Sequence, residues 1–201
     1  MARTYGSFSQ ITAPKVYKTA LRLFAQYGYA AVSMRQIARD VGVQAGALYR
    51  YTPDKQTLLF TIMRDHMESL LCAWDACPKS DEPVVQLKEF IQFHLTFHLH
   101  KTDEVFVAYM ELRNLTEENF SVIEELRRRY ELVLEQILVR GAKARVFHIT
   151  DARVATLALI GMLKEVGTWY RPDGRLSRSE ITNIYQDMAA RFLRVDTSVT
   201  P

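Results

Sequence analysis

A chain of 201 residues with 48% hydrophobic side chains suits one large or two small domains and can bury a packed core. Eight glycines, six prolines and almost no alternating apolar pattern exclude a strand-rich protein and point to an all-α fold. No apolar run reaches the length of a membrane span and the first residues lack the apolar centre of a signal peptide, so no membrane partner and a cytoplasmic location are expected, with Cys72 and Cys77 as plain thiols.

The first helix is expected over residues 12–27, capped by Thr12 with Pro14 in its first turn; Val16, Ala20, Leu23 and Phe24 form its apolar stripe and Gly28 stops it. Two short helices follow. Ser33 is placed to cap the first, with Gln36 three residues on as a capping box requires. Ile37 and Ala38 give it an apolar edge, and the small Ala38 admits a close neighbour. Gly42 can take the positive φ of a sharp turn, and Val43 and Leu48 carry the apolar pattern onto a second helix starting near Gln44. This is the spacing of a helix-turn-helix, which presents the start of its second helix to a DNA major groove. Residues 1–60 carry eight basic and two acidic side chains, a formal +6, against 18 basic and 21 acidic, or −3, in the remainder. A basic head on a mildly acidic body is the footprint of a DNA reader with a second module.

Pro53-Asp54 opens a fourth helix to about residue 76, with Leu58, Leu59, Ile62, Met63, Met67, Leu70 and Leu71 on its buried face. It connects a head over residues 1–53 to a ligand-binding and dimerisation domain over 54–196. Five further helices are expected at 84–100, 105–115, 117–140, 151–170 and from Ser177 to about Val195. Thr116 caps the third of these and Gly141 ends it; Ser177 and Glu180 make a capping box for the last. The helix over 151–170 is apolar nearly all round. With the last helix it is expected to build a homodimer contact from Leu159, Met162, Ile181, Ile184, Tyr185, Met188 and Phe192.

Val32-Ser-Met-Arg-Gln-Ile-Ala38, Val41-Gly-Val43, Gly46-Ala-Leu-Tyr-Arg-Tyr51 and Lys55 resemble, nearly position by position, the head of the TetR family of bacterial transcriptional regulators. The order of nine helices is similar to that family's architecture. Tyr51, for the usual phenylalanine, and Gln44-Ala45, for a commoner Ser-Lys pair, are departures that bear on base preference rather than on DNA binding. The resemblance implies DNA contacts at Ser33, Arg35, Gln44, Ala45, Gly46, Tyr49, Arg50 and Lys55. The chemistry agrees. A serine at a helix N-terminus meets a phosphate, Tyr49 donates to a phosphate oxygen and Lys55 supplies charge. Glutamine suits adenine, arginine guanine, and alanine a thymine methyl, so Gln44, Arg50 and Ala45 are the candidates at base edges.

Glu111-Leu-Arg-Asn-Leu115 and Gly167-Thr-Trp-Tyr-Arg-Pro-Asp-Gly-Arg-Leu-Ser177 resemble a narrower group, TetR-type regulators of fatty-acid and related acid breakdown that acyl-coenzyme A thioesters release from DNA. The effector expected from this is an acyl-CoA, with Phe93, His94, Phe97, Tyr109, Met110 and Trp169 along its apolar part and Arg113 and Arg171 near its phosphates. A neutral drug-like compound, as for a regulator of efflux, is the alternative. His94 and His98 share a helix face at a spacing that can hold metal, but no metal is expected because the flanking residues of a metalloenzyme are missing. No dinucleotide fingerprint, P-loop or CxxC is present, so no cofactor is expected. An enzyme lacks a nucleophile or carboxylate pair at sensible spacing, and a purely architectural DNA binder would not need the aromatic second domain. The reading is therefore a repressor: a homodimer on a palindromic operator, released by an apolar effector.

Overall fold

The computed structural model describes residues 5–195. Among them are nine α-helices and no strand: α1 Tyr5–Tyr27, α2 Met34–Val41, α3 Ala45–Leu48, α4 Lys55–Ala76, α5 Pro83–Leu99, α6 Thr102–Met110, α7 Glu117–Lys143, α8 Ala152–Trp169 and α9 Arg178–Phe192. A short 3₁₀ turn, Leu112–Asn114, separates α6 from α7.

Three helices depart from their expected bounds. Helix α1 is already running at Tyr5, so Thr12 does not cap it and Pro14 lies inside it. Proline has a helical φ and removes one hydrogen bond, which bends a helix without having to start it. Helix α6 begins at Thr102 and closes at Met110 instead of reaching Leu115. Gly141 does not end α7, which continues to Lys143. Glycine is needed there for space: a Cβ on Gly141 would stand 2.0 Å from the ring of Phe147, which is buried against it.

The chain forms two compact units, and they differ from a division at residues 53 and 54. The first takes Met1–Ser69 together with Asp103–Leu126; the second takes Leu70–Thr102 and Arg127–Pro201. Helices α4 and α7 thus each contribute to both. The core of the first unit is Val16, Ala20, Leu23 and Phe24 from α1, Ile37, Ala38 and Val41 from α2, Leu48 from α3, and Leu58, Leu59 and Met63 from α4. Val107 and Ala108 of α6 and Ile123 of α7 are buried in the same unit.

The second unit is built on an aromatic row. Trp74 meets Phe90 and Phe93 edge-on, each at 5.3 Å between ring centres, and Phe90 stacks on Tyr130 at the same distance. Leu87, Ile91 and Leu95 of α5, Leu134 and Leu138 of α7, Leu159 and Leu163 of α8, and Ile181 and Ala189 of α9 complete its core. Arg153 of α8 pairs with Glu131 at 2.6 Å and Glu135 at 3.4 Å on α7. Asp151 caps α8, and the expected Ser177–Glu180 capping box is complete at the start of α9.

Candidate nucleic-acid interface and effector site

The helix-turn-helix follows from local chemistry. The Ser33 hydroxyl accepts the N–H of Gln36 at 3.2 Å and starts α2. Gly42 ends it at φ 83°, where its N–H bonds back to Ala38 and Arg39. That left-handed residue turns the chain so that Gln44, in an extended conformation, opens α3. Ile37, Ala38, Val41 and Leu48 hold the two helices together from inside.

The outer surface of this unit is polar and accessible. Ser33, Arg35, Gln44, Ala45, Gly46 and Arg50 are exposed, and Tyr49 is 55% exposed whereas Tyr51 is half-buried. Tyr51 therefore belongs to the packing of the head and Tyr49 to its surface. Gln44 has no capping bond of its own, which leaves its side-chain amide at the front of α3. Arg22 and Arg39 both pair with Asp40, at 2.9 and 3.6 Å, at the end of α2.

Lys55 is placed differently from a simple phosphate contact. Its Nζ turns inward, donating to the carbonyls of Tyr29 at 2.8 Å and Val32 at 2.9 Å. It lies 4.1 Å from the centre of the Tyr29 ring. Burial lowers the Lys55 ammonium below the ordinary lysine range, and the Glu111 carboxylate pulls it part of the way back. The carbonyls leaving the α1–α2 turn have no helical partner of their own, and the lysine satisfies them. Sequence reading missed Tyr29 and Glu111 in this network; the only signal was a glycine before Tyr29 and a lone glutamate in an apolar stretch.

In the second unit, α5 brings Phe93, His94 and Phe97 together. Phe93 and Phe97 are half-buried with ring centres 5.7 Å apart, and Lys101 Nζ sits 4.2 Å from the Phe97 ring. His94 is fully buried: its Nδ1 and the Tyr130 hydroxyl are 3.1 Å apart, and its ring stacks on His98 at 4.0 Å. It is a core histidine, and it is the rings on either side of it that are partly accessible. His98 donates from Nδ1 to the His94 carbonyl at 2.8 Å, and burial pushes its pKa down to about 4, with Lys101 adding to the fall. His100 points elsewhere and accepts from Arg178. No group of three or more possible metal-ligating side chains occurs among the described residues.

A groove of about 570 Å³ opens beside Trp74, between α4, α5 and α7. Val133, Ile137 and Val139 form its apolar wall, and Lys79 and Arg140 supply cations, with Asp75 the one acid. Lys79 lies 5.2 Å from the Trp74 ring, and Arg140 donates to Gln86. Neither cation was singled out in the sequence, because only the fold brings α4 and α7 together here.

Other expected effector residues fall elsewhere. Tyr109, Met110 and Arg113 belong to the first unit, Tyr109 half-buried and the other two exposed. Trp169 is 49% exposed at the end of α8 and bonds to Tyr185. Arg171 donates from one Nη1 to the carbonyls of Tyr170 at 2.8 Å and Thr168 at 3.4 Å, closing its own helix.

The outward face of α8 and α9 is apolar. Val154, Leu157 and Trp169 on α8 and Ile184, Met188 and Phe192 on α9 are each more than 40% exposed. Their spacing places each set on one side of its helix. Leu159 and Ile181, expected at a dimer contact, are 1% exposed and belong to the core instead. Both helices carry two apolar stripes, and composition alone does not say which stripe faces the interior. Met162 and Tyr185 lie between, half-buried.

Comparison with known proteins agrees with this geometry. Residues 16–62 match the family described as "Bacterial regulatory proteins, tetR family", and residues 80–193 match "Tetracyclin repressor-like, C-terminal domain". A "Fatty acid metabolism regulator protein" of Bacillus subtilis is 23% identical over 172 residues, covering 84% of this chain and 89% of that protein. A tetR-family regulatory protein from Rhodococcus RHA1 superposes with a TM-score of 0.86 at 28% identity over 92% of this chain and 98% of its own. AibR, solved with isovaleryl coenzyme A and operator DNA, superposes at 0.80 with 24% identity over 92% of this chain and all of its own. The chain belongs to the TetR family. It is a DNA-binding transcriptional regulator of the helix-turn-helix type, and the enzyme alternative is set aside by that membership. No helix among the described residues is long and apolar enough to cross a membrane.

Proposed function

We propose that this chain is a homodimeric repressor of the cytoplasm that binds a palindromic operator and is released by an acyl-coenzyme A thioester. The observation that carries the effector reading is the groove beside Trp74, where an apolar wall is rimmed by Lys79 and Arg140. A thioester of coenzyme A needs both: a lipophilic surface for the acyl chain and cations for the phosphates. Trp74 belongs both to this groove and, through Phe93 and Phe97, to the aromatic row of α5. His98, neutral near pH 7, keeps that row uncharged. Among relatives, the B. subtilis protein is named for fatty-acid metabolism and AibR carries a short acyl-CoA, which supports the same class of ligand.

The exposed apolar faces of α8 and α9 support the dimer. A pair of such helices from each copy would bury them in a four-helix contact. In the head, Gln44, Ala45 and Arg50 read base edges, and Ser33, Arg35, Gly46 and Tyr49 lie at the backbone. The effector binds one conformation of the dimer better than the other, and the heads then no longer match the half-sites.

Fluorescence anisotropy tests the reading. A labelled duplex, selected on the protein from a random-sequence pool, is titrated with acyl-coenzyme A species of increasing chain length, their free acids, and coenzyme A alone. Release by thioesters only is expected. Release by free acids or neutral drug-like compounds, with none by any thioester, would reject the acyl-CoA reading and leave a general apolar sensor.

A further inference from the structure

We infer that Glu111 is a positioning residue for DNA binding: its buried carboxylate fixes the turn between α1 and α2 and so sets the start of the helix-turn-helix. The inference rests on the family's DNA-binding activity and not on the identity of the effector.

Glu111 follows α6 and is 7% exposed. Its Oε1 accepts the backbone N–H of Tyr29 at 3.2 Å, across 82 residues of sequence. Its Oε2 accepts from Asn114 Nδ2 at 2.5 Å, and the Asn114 carbonyl accepts from Gln56 Nε2 of α4 at 2.8 Å. The carboxylate is thus braced from behind and aimed at one peptide. That peptide is prepared for it. Gly28 takes φ 81°, a conformation that favours glycine, and so turns the chain to present the Tyr29 N–H to Oε1.

The other side of the same peptide is held as well. Tyr29 donates its N–H to Glu111 and offers its carbonyl to Lys55, which also takes the carbonyl of Val32. Val32 immediately precedes Ser33, the cap of α2. A continuous path of hydrogen bonds therefore runs from Glu111 through Tyr29 and Lys55 to the residue before the first DNA-facing position. A buried carboxylate is unfavourable unless it is paired, and this one receives two donors with an ammonium nearby. The three residues between Tyr29 and Ser33 belong to no helix, and these bonds, with one weaker backbone turn from Val32 to Tyr29, define their path.

A role in positioning and a role in stability alone make different predictions. Glu111→Gln keeps an acceptor for the Tyr29 N–H, with the Asn114 amide free to flip towards it, and removes the charge. Glu111→Leu keeps the bulk and removes the acceptor. Val107→Ala removes buried side-chain volume from the same unit and leaves the Glu111 carboxylate in place, so it controls for stability alone. Affinity for the selected duplex is measured by anisotropy at several salt concentrations, well below each variant's melting temperature. We expect Glu111→Leu to weaken binding about tenfold or more and Glu111→Gln to stay within about threefold of the unmodified protein. Val107→Ala should bind normally, and the salt slope should be the same in all, since no phosphate contact is removed. Binding of Glu111→Leu at full strength, equal loss in Glu111→Gln, or equal loss in Val107→Ala would overturn the inference. If Glu111→Leu fails to fold by circular dichroism, Asn114→Ala decides: removing the brace should weaken binding, and unchanged binding overturns the inference. Failure of the unmodified protein to select any duplex would instead strike the DNA-binding assignment.

Discussion

Lys55 and Tyr29 are joined twice: the ammonium donates to the Tyr29 carbonyl at 2.8 Å and rests 4.1 Å from the centre of the same residue's ring. A charge at the start of α4 that chemistry would offer to a DNA phosphate is thereby turned into a fastener for the α1–α2 turn. Lys55→Met should lower stability by about 1–3 kcal/mol, because the Val32 carbonyl loses its lysine donor and the Tyr29 carbonyl keeps only the longer backbone bond from Val32. It should weaken DNA binding without lowering the salt slope. Thermal melts and a salt titration of operator affinity check both; a slope reduced by about one unit with unchanged stability would restore the phosphate contact.

Base reading is expected from Gln44, at the front of α3, and from Arg50, in the turn that follows it. Arg50→Ala should cost about 1–3 kcal/mol of operator affinity and relax preference at one base pair. Gln44→Ala should do the same at a different position. Selection of duplexes on each variant reads the outcome, and a uniform loss on all sequences would move these residues to the backbone.

The two faces of α9 separate dimerisation from folding. Ile184, 43% exposed, and Ile181, 1% exposed, are three residues apart. Ile184→Asp should give a folded monomer that no longer binds operator, and Ile181→Asp should lose the fold. Sedimentation with circular dichroism distinguishes them, and an unmodified protein that sediments as a monomer at micromolar concentration would rule out the dimer.

His98 makes stability depend on pH. Its pKa falls from 6.5 in an open chain to about 4 in the fold. A lowered basic group is bound to fewer protons in the folded state, so its contribution is complete above pH 6.5 and is lost as pH falls towards 4. The size is about 3 kcal/mol. Burial beside the stacked ring of His94 is the largest cause of the fall, and the charge of Lys101 adds to it. His98→Gln should flatten the dependence of the melting temperature between pH 7 and 4.5, and an equally steep curve in that variant would assign the dependence elsewhere.

The helix-turn-helix was legible because each part has a local cause: Ser33 caps, Gly42 turns, and Ile37, Ala38 and Leu48 pack within 12 residues of one another. The capping box at Ser177 was readable for the same reason. The start of α1 was not, since Pro14 satisfies the signal for a first turn while being tolerated inside a helix. Gly141 misled in the same way: a glycine near a helix end suggests a stop, but the ring that requires it, Phe147, is apparent only in the fold. The effector residues were the least legible. Trp169 and Phe93 are both aromatic residues on apolar helices, and only tertiary packing separates an exposed face from a half-buried row. Glu111, Lys79 and Arg140 derive their roles from partners far away in sequence, which no local pattern encodes.

Native mass spectrometry of the protein with its selected duplex reads the proposed state itself, a dimer on DNA that an acyl-coenzyme A dissociates. The expected spectrum shows a complex of two chains and one duplex that disappears when a matching acyl-coenzyme A is added, leaving ligand-bound dimer and free duplex. A protein–duplex complex that persists unchanged with every thioester in the series, or that contains a single chain, would overturn the proposed repressor.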